Sequence, residues 1–180
     1  MVDYDAVWPQ QYESEAEHLR PVFGPALADI HHIGSTSVPG MKAKPTVDIL
    51  VEAKPGIQIT DFYPGMSDLG YECRGECLDA IVPGTPGRYY FSMKKDVQDI
   101  YHVHVCHMGH PQIPELLVLR DYLRAHPDAA AEYGNLKADL AQCYSLDNVE
   151  YMRGKDSFVK RLIATAEKWK RPKKPSPATE

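Results

Sequence analysis

At 180 residues, 43% hydrophobic and 25% charged, the chain is long enough to bury a continuous core and too apolar to be disordered. A formal charge of −5 lacks the basic excess that broad nucleic-acid or membrane-surface binding requires, so neither is expected as a partner. Four cysteines are too few for a disulfide framework, and Cys73 and Cys77 have no second close pair to complete a zinc ribbon. The acidic start MVDYDAVWPQQYESEAE has no signal-peptide core and no apolar run reaches membrane-spanning length, which points to the reducing cytoplasm.

In chain order, Tyr12, Ala16, Leu19 and Phe23 fall at steps of three and four, the apolar stripe of a helix over 9–23 with Pro9 in its first turn. Ala28–Ile33 reads as a short strand entering a Gly34–Ser35 turn, and the proline-broken loop after it leads to TVDILVE, a central strand over Thr46–Glu52. Ile57–Leu69 is expected to be a helix interrupted at Pro64–Gly65, with a strand opening at Gly70–Tyr71. The segment 78–91 is loop-like until Arg88–Met93 resumes strand character, and Asp99–Cys106 alternates as a strand should. Beyond Pro111 the pattern turns helical. Leu116, Leu119, Tyr122 and Leu123 share one face, and further amphipathic runs cover Ala129–Tyr144 and Val149–Trp169. Lys168–Lys174 is a solvated, proline-containing basic end. The order describes an α+β fold, a mixed sheet with a crossover and a helical C-terminal half.

Three features carry chemistry. Gly34 permits a tight backbone path, and a short helix starting at Ser35 or Thr36 would present unpaired amides to a phosphate or other small anion, with Lys42 and Lys44 nearby. Asp48 stands inside an apolar strand, where a lone charge needs a metal, a cation, hydrogen-bond donors or a cleft. Leu50 occupies the next position on its face, so this strand supplies no second carboxylate. His102 and His104 lie two apart on another strand and point the same way. Were that strand beside the first, Asp48, His102 and His104 would converge as candidate catalytic groups or as ligands for a divalent metal, a transition metal suiting the nitrogens better than magnesium.

The stretch HHIGSTSVPGMKAKPTVDILV resembles the signature of the GrpB family, built around I-G-S-T, V-P-G, K-P and a strand aspartate. RYYFSMK resembles the family's arginine–phenylalanine–lysine segment and YHVHVC its H-x-H strand. LRDYLRAHPDAAAEYGNLKADLA and YMRGKDSFVKRLIATAEKW are similar to its closing helices. The resemblance implies one nucleotidyltransferase-like domain over 1–170, with 171–180 left as a disordered tail. It also implies descent from a superfamily that uses a Gly-Ser turn, an Asp-x-Asp strand and a third carboxylate. Leu50 departs from that pattern, which puts two-magnesium nucleotidyl transfer in doubt because both metals need oxygen ligands.

The expected function is an enzyme acting on a nucleotide or small anionic substrate in a cleft formed by the turn, Asp48 and the histidine strand. Gly34, Ser35, Thr36, Lys44, Arg88, Lys94, Arg120, Tyr151 and Lys155 are the candidate binding residues, Tyr151 and Lys155 being one helical turn apart. One alternative is transition-metal or acid–base chemistry on a small non-nucleotide substrate, for which imidazole is suited. The other is a non-catalytic accessory module in nucleotide or coenzyme A metabolism, acting through ligand binding or on a separate protein partner, which the resemblance implies because GrpB-like domains occur fused to dephospho-CoA kinase. This chain has no P-loop of its own.

Overall fold

The computed structural model describes residues 1–77, 85–144 and 147–171. Residues 78–84, within the expected loop, and 172–180, most of the expected tail, lie outside the described residues. In chain order the elements are α1 (Trp8–Phe23), β1 (Leu27–Ile33), β2 (Val47–Ala53), α2 (Tyr63–Asp68), β3 (Glu72–Glu76), β4 (Arg88–Lys95), β5 (Gln98–His107), α3 (Gln112–Ala125), α4 (Pro127–Cys143) and α5 (Asn148–Lys170). The strands form one sheet in the order β1-β2-β5-β4-β3, with β2 and β5 parallel and every other pair antiparallel. The parallel pair is the expected crossover. It sets Asp48 opposite His102 and Leu50 opposite His104.

Strand alternation divides the sheet into two faces. Val47, Ile49, Val51, Phe91, Val103 and Val105 form one face and pack with Trp8, Leu19 and Phe23 of α1 and Met66 of α2. Fully burying side chains of this size contributes about 1.5–3 kcal/mol each, and this layer anchors the sheet. The opposite face is mixed. Leu50 is 0% exposed and packs with Ile33, Cys106 and Ile113 of α3, so the position where a second carboxylate was sought belongs to the core. A third cluster joins Val38 and Met41 of the loop to Leu123, Ala130, Tyr133 and Leu162, and so locks α3, α4 and α5 beside the turn.

Local chemistry accounts for the helix starts. Pro9 and Pro127 sit in first turns, where a missing N–H costs nothing. The Asp147 carboxylate accepts from the amides of Val149 and Glu150 at 3.0 Å each, an N-cap for the long α5. The helix expected over Ile57–Leu69 is instead a short 3-10 turn, Ile59–Phe62, followed by α2. Pro64 lies in α2's first turn, so it opens that helix rather than interrupting it. Among the described residues, no helix is long and apolar enough to cross a membrane.

Candidate functional site

β1 ends at Ile33, paired with Asp48, and the chain turns through Gly34 into a 3-10 turn at Ser35–Ser37. Gly34 has φ +70°, and a Cβ there would overlap the Asp48 carboxylate and lie 2.9 Å from its Cβ. Glycine is therefore required by backbone sign and by space alike. The turn and the carboxylate face each other at contact distance.

Asp48 is half-buried beside two imidazoles. His102 Nδ1 lies 3.3 Å and His104 Nε2 3.9 Å from Asp48 Oδ1, and His102 Nε2 lies 3.6 Å from Asp99 Oδ2. Burial by itself raises the Asp48 pKa, but hydrogen bonds and positive charge from His102 and His104 prevail and hold it well below the usual carboxylate range. For His102, burial opposes protonation, while Asp48 and then Asp99 outweigh it and leave the imidazole above its ordinary value. His104 is pushed down by burial, with Arg88 assisting and Asp48 partly offsetting. The Tyr90 ring stacks on His104 and meets His102 edge-on, both at 5.3 Å, and so fixes both imidazoles.

A cationic arm faces this acidic side. Lys137 of α4 is 4% exposed, donates to Ser35 Oγ and to the Lys42 carbonyl at 3.0 Å, and lies 4.9 Å from the Tyr133 ring centroid. Burial, then repulsion from Lys155, lowers its pKa to about 7, with Asp48 partly opposing. Burial also lowers Lys155, with Asp48 opposing and Lys44 adding repulsion. Lys44 and Lys155 lie 5.0 and 5.3 Å from the Tyr151 ring centroid. Lys137 thus holds the Ser35 turn, Lys155 stands close enough to repel it, and Lys44 shares the Tyr151 ring with Lys155.

Of the expected residues, the structure brings together Gly34, Ser35, Lys44, Asp48, His102, His104, Tyr151 and Lys155. Thr36 turns the other way: it is buried, and its hydroxyl bonds to His32 Nε2 at 3.0 Å. Arg88 donates to Gln112 at 2.7 Å and flanks His104 rather than the lysines. Lys94 is exposed beside the β4–β5 turn, with no contact tying it to the cleft among the described residues. Arg120 is committed elsewhere, to Asp121 at 2.9 and 2.7 Å and to the His32 carbonyl at 3.2 Å. Lys137, Tyr90 and Asp99 are the residues that sequence reasoning missed. Lys137 closes the Y-x-x-L-K run of the α4 motif, which is the signal in the sequence that points to it.

The donor set decides what the cleft can hold. Asp48 and two imidazoles, with Asp99 on the far side of His102, do not make a two-magnesium centre, which needs shared oxygens on both ions. Asp48, His102 and His104 do converge, with His102 as the imidazole that the carboxylate favours in its charged form. Among the described residues, no group of three His, Cys, Asp or Glu side chains has a metal-holding arrangement. Buried His102 Nε2, His104 Nδ1 and Arg88 Nε have no hydrogen-bond partner among the described residues, the kind of group that a ligand atom or ordered water completes.

Comparison with known proteins adds kinship to this geometry. The profile described as GrpB protein matches residues 1–165. A curated relative, the UPF0157 protein YqkA of Bacillus subtilis, is 40% identical over 93% of this chain, which spans 47% of that relative's length. The crystal structure of conserved protein GrpB from Enterococcus faecalis superposes with a TM-score of 0.82 at 33% identity, covering 94% of this chain and 99% of that one. Cid1 poly(U) polymerase in its MgGTP-bound form shares the fold alone, with a TM-score of 0.54 at 15% identity over 81% of this chain and 46% of its own. A dephospho-CoA kinase of Mycolicibacterium paratuberculosis is 24% identical over 94% of this chain and 46% of its own length.

Proposed function

The chain belongs to the GrpB family and has the nucleotidyltransferase-like fold, and from that premise we propose that it is an enzyme whose cleft receives a nucleotide or comparable small phosphate-bearing molecule. One observation carries the reading. Lys137 reaches across from α4 to Ser35 at the Gly34 turn, with Lys155 close enough to repel it and Lys44 sharing the Tyr151 ring with Lys155, so that a run of lysines leads away from the glycine turn. Such an arrangement suits the clustered negative charge of a di- or triphosphate better than a single carboxylate. The unpartnered nitrogens of His102, His104 and Arg88 offer further contacts to it.

Asp48 supplies orientation. Ionised, it aligns His102 and keeps a proton available on that imidazole, so His102 is the group that exchanges a proton with a reacting hydroxyl or leaving oxygen. The lysine arm neutralises charge that builds on phosphate oxygens during transfer. No oxygen pair for two magnesium ions is needed in this scheme, consistent with Leu50.

A thermal-shift panel of the four ribonucleoside triphosphates, pyrophosphate and phosphate, run with the wild type, Lys137→Met and Asp48→Asn, tests the reading. A rise in Tm with a triphosphate or pyrophosphate that Lys137→Met abolishes is expected. No shift with any phosphate compound sinks it. The similarity to a dephospho-CoA kinase favours a second reading, an accessory nucleotide-binding module without chemistry of its own. Binding that Asp48→Asn leaves intact, with no turnover of any bound nucleotide by the wild type, would select that second reading.

A further inference from the structure

A separate cavity of about 500 Å³ opens at the outer edge of the sheet, beside β1, α1 and α3. Tyr4, Tyr12, Glu13, His32, Arg120 and Arg124 are among its lining residues, while Asp48, His102 and His104 are not. We propose that this cavity is a second oxyanion site, which takes the phosphate or carboxylate group of a small molecule onto the guanidinium groups of Arg120 and Arg124. The proposal does not rest on the reading of the cleft.

Charge balance is the first support. Arg120 and Arg124 lie one turn apart on α3 and so present side chains to the same side. Asp121 answers Arg120 through Nε at 2.9 Å and Nη2 at 2.7 Å, but shares its carboxylate with Lys170 at 3.6 Å. Arg124 meets a neutral partner, donating from Nε to the Ser37 carbonyl at 2.8 Å. Arg120 and Lys170 therefore share one carboxylate, and Arg124 is in contact with none among the described residues. The cost is visible on Arg124, whose pKa is lowered by burial and then by Arg120, with Asp121 partly compensating. His32 adds no charge, since burial and then Arg124 bring it down to about 4. Glu13 is exposed at the rim, where solvent screens it.

Shape is the second support. The volume falls within the usual range for small-molecule sites, about 300–1,000 Å³. One wall is fixed before any ligand arrives: Tyr12 stacks on His32 with centroids 4.9 Å apart and planes 10° apart, and its hydroxyl donates to the Ile30 carbonyl at 3.0 Å. Arg120 already spends its Nε–Nη2 fork on Asp121 and contributes charge, whereas Arg124 is held through Nε alone and keeps its two terminal nitrogens to match the oxygens of phosphate or carboxylate in pairs. The same two arginines hold the His32 and Ser37 carbonyls on either side of Gly34–Thr36, so this cavity touches the turn from outside.

The test is an NMR titration of the full chain, following the Nε–H signals of Arg120 and Arg124 against sodium phosphate and sodium malonate, with sodium chloride matching ionic strength. Saturable shifts of both signals are expected, unchanged in Lys137→Met, and weakened about tenfold or more in Arg124→Gln, the value of one charged hydrogen bond. Saturation by phosphate alone assigns a phosphate group, by malonate alone a carboxylate, and by both the shared oxyanion chemistry. Shifts no larger than those of chloride, or shifts lost in Lys137→Met, would overturn the proposal. If Arg124→Gln fails to fold, the wild-type and Lys137→Met titrations still decide it.

Discussion

Replacing Lys137 with methionine removes a buried ammonium while keeping most of the side-chain volume, and the structure sets the size of the result. The Lys137 pKa falls from 10.5 to about 7 on folding, mainly through burial. Between those values the unfolded chain holds a proton that the folded chain has released, so stability rises with pH across this window. From pH 7 to 9 the folded lysine goes from half protonated to almost fully neutral while the unfolded one stays charged. Integrating that difference gives about 2 kcal/mol of extra stability at pH 9 from this one group. Urea unfolding of the wild type and of Lys137→Met at both pH values provides the measurement. Because other titrating groups are common to both proteins, the wild type should gain about 2 kcal/mol more than the variant between pH 7 and 9. Equal gains would show that Lys137 is charged and well solvated, and the reasoning about a desolvated lysine arm would fall. Binding of pyrophosphate to the wild type at pH 8 should also take up protons, detectable by calorimetry in buffers of different ionisation enthalpy.

Three further outcomes follow from named contacts. Asp48→Asn removes the charge that holds His102 above its ordinary pKa, so NMR titration should find that imidazole shifted downwards, and an unchanged value would break the Asp48–His102 link. Gly34→Ala places a methyl against Asp48 at positive φ and should lower stability by about 1–3 kcal/mol in denaturant unfolding, together with loss of phosphate binding. Tyr71→Phe leaves the buried Glu15 carboxylate without the hydroxyl that donates to it at 2.8 Å and should cost about 1–3 kcal/mol by the same assay.

Much of the scaffold was legible because periodicity reports burial. The apolar stripe of α1, the doubly buried β2 and the alternating β5 were each readable, and the convergence of Asp48 with His102 and His104 followed once two strands were placed side by side. What periodicity does not report is which way a turn residue or a long polar side chain swings. Thr36 turns inward to His32, and Arg120 bends back to Asp121. Lys137 is hard to single out because a lysine on an amphipathic helix ordinarily faces water; here Ser35, the Lys42 carbonyl and the Tyr133 ring surround its end, and only packing of α4 against the loop after β1 reveals that. Leu50 was seen as a missing carboxylate, whereas its role as a contact for α3 depends on a helix far along the chain.

The bond between Lys137 and Ser35 joins residues 102 positions apart, and the parallel register of β2 with β5 also spans a long intervening segment. Closing such large loops is slow, because chain entropy is lost before the contacts that compensate it are made. The cleft is complete only once the chain through α4 has been brought back to the turn. During synthesis the turn and its aspartate would emerge long before α4 brings the lysine, and a nascent chain halted ahead of that helix would hold the acidic half of the site without its counterpart.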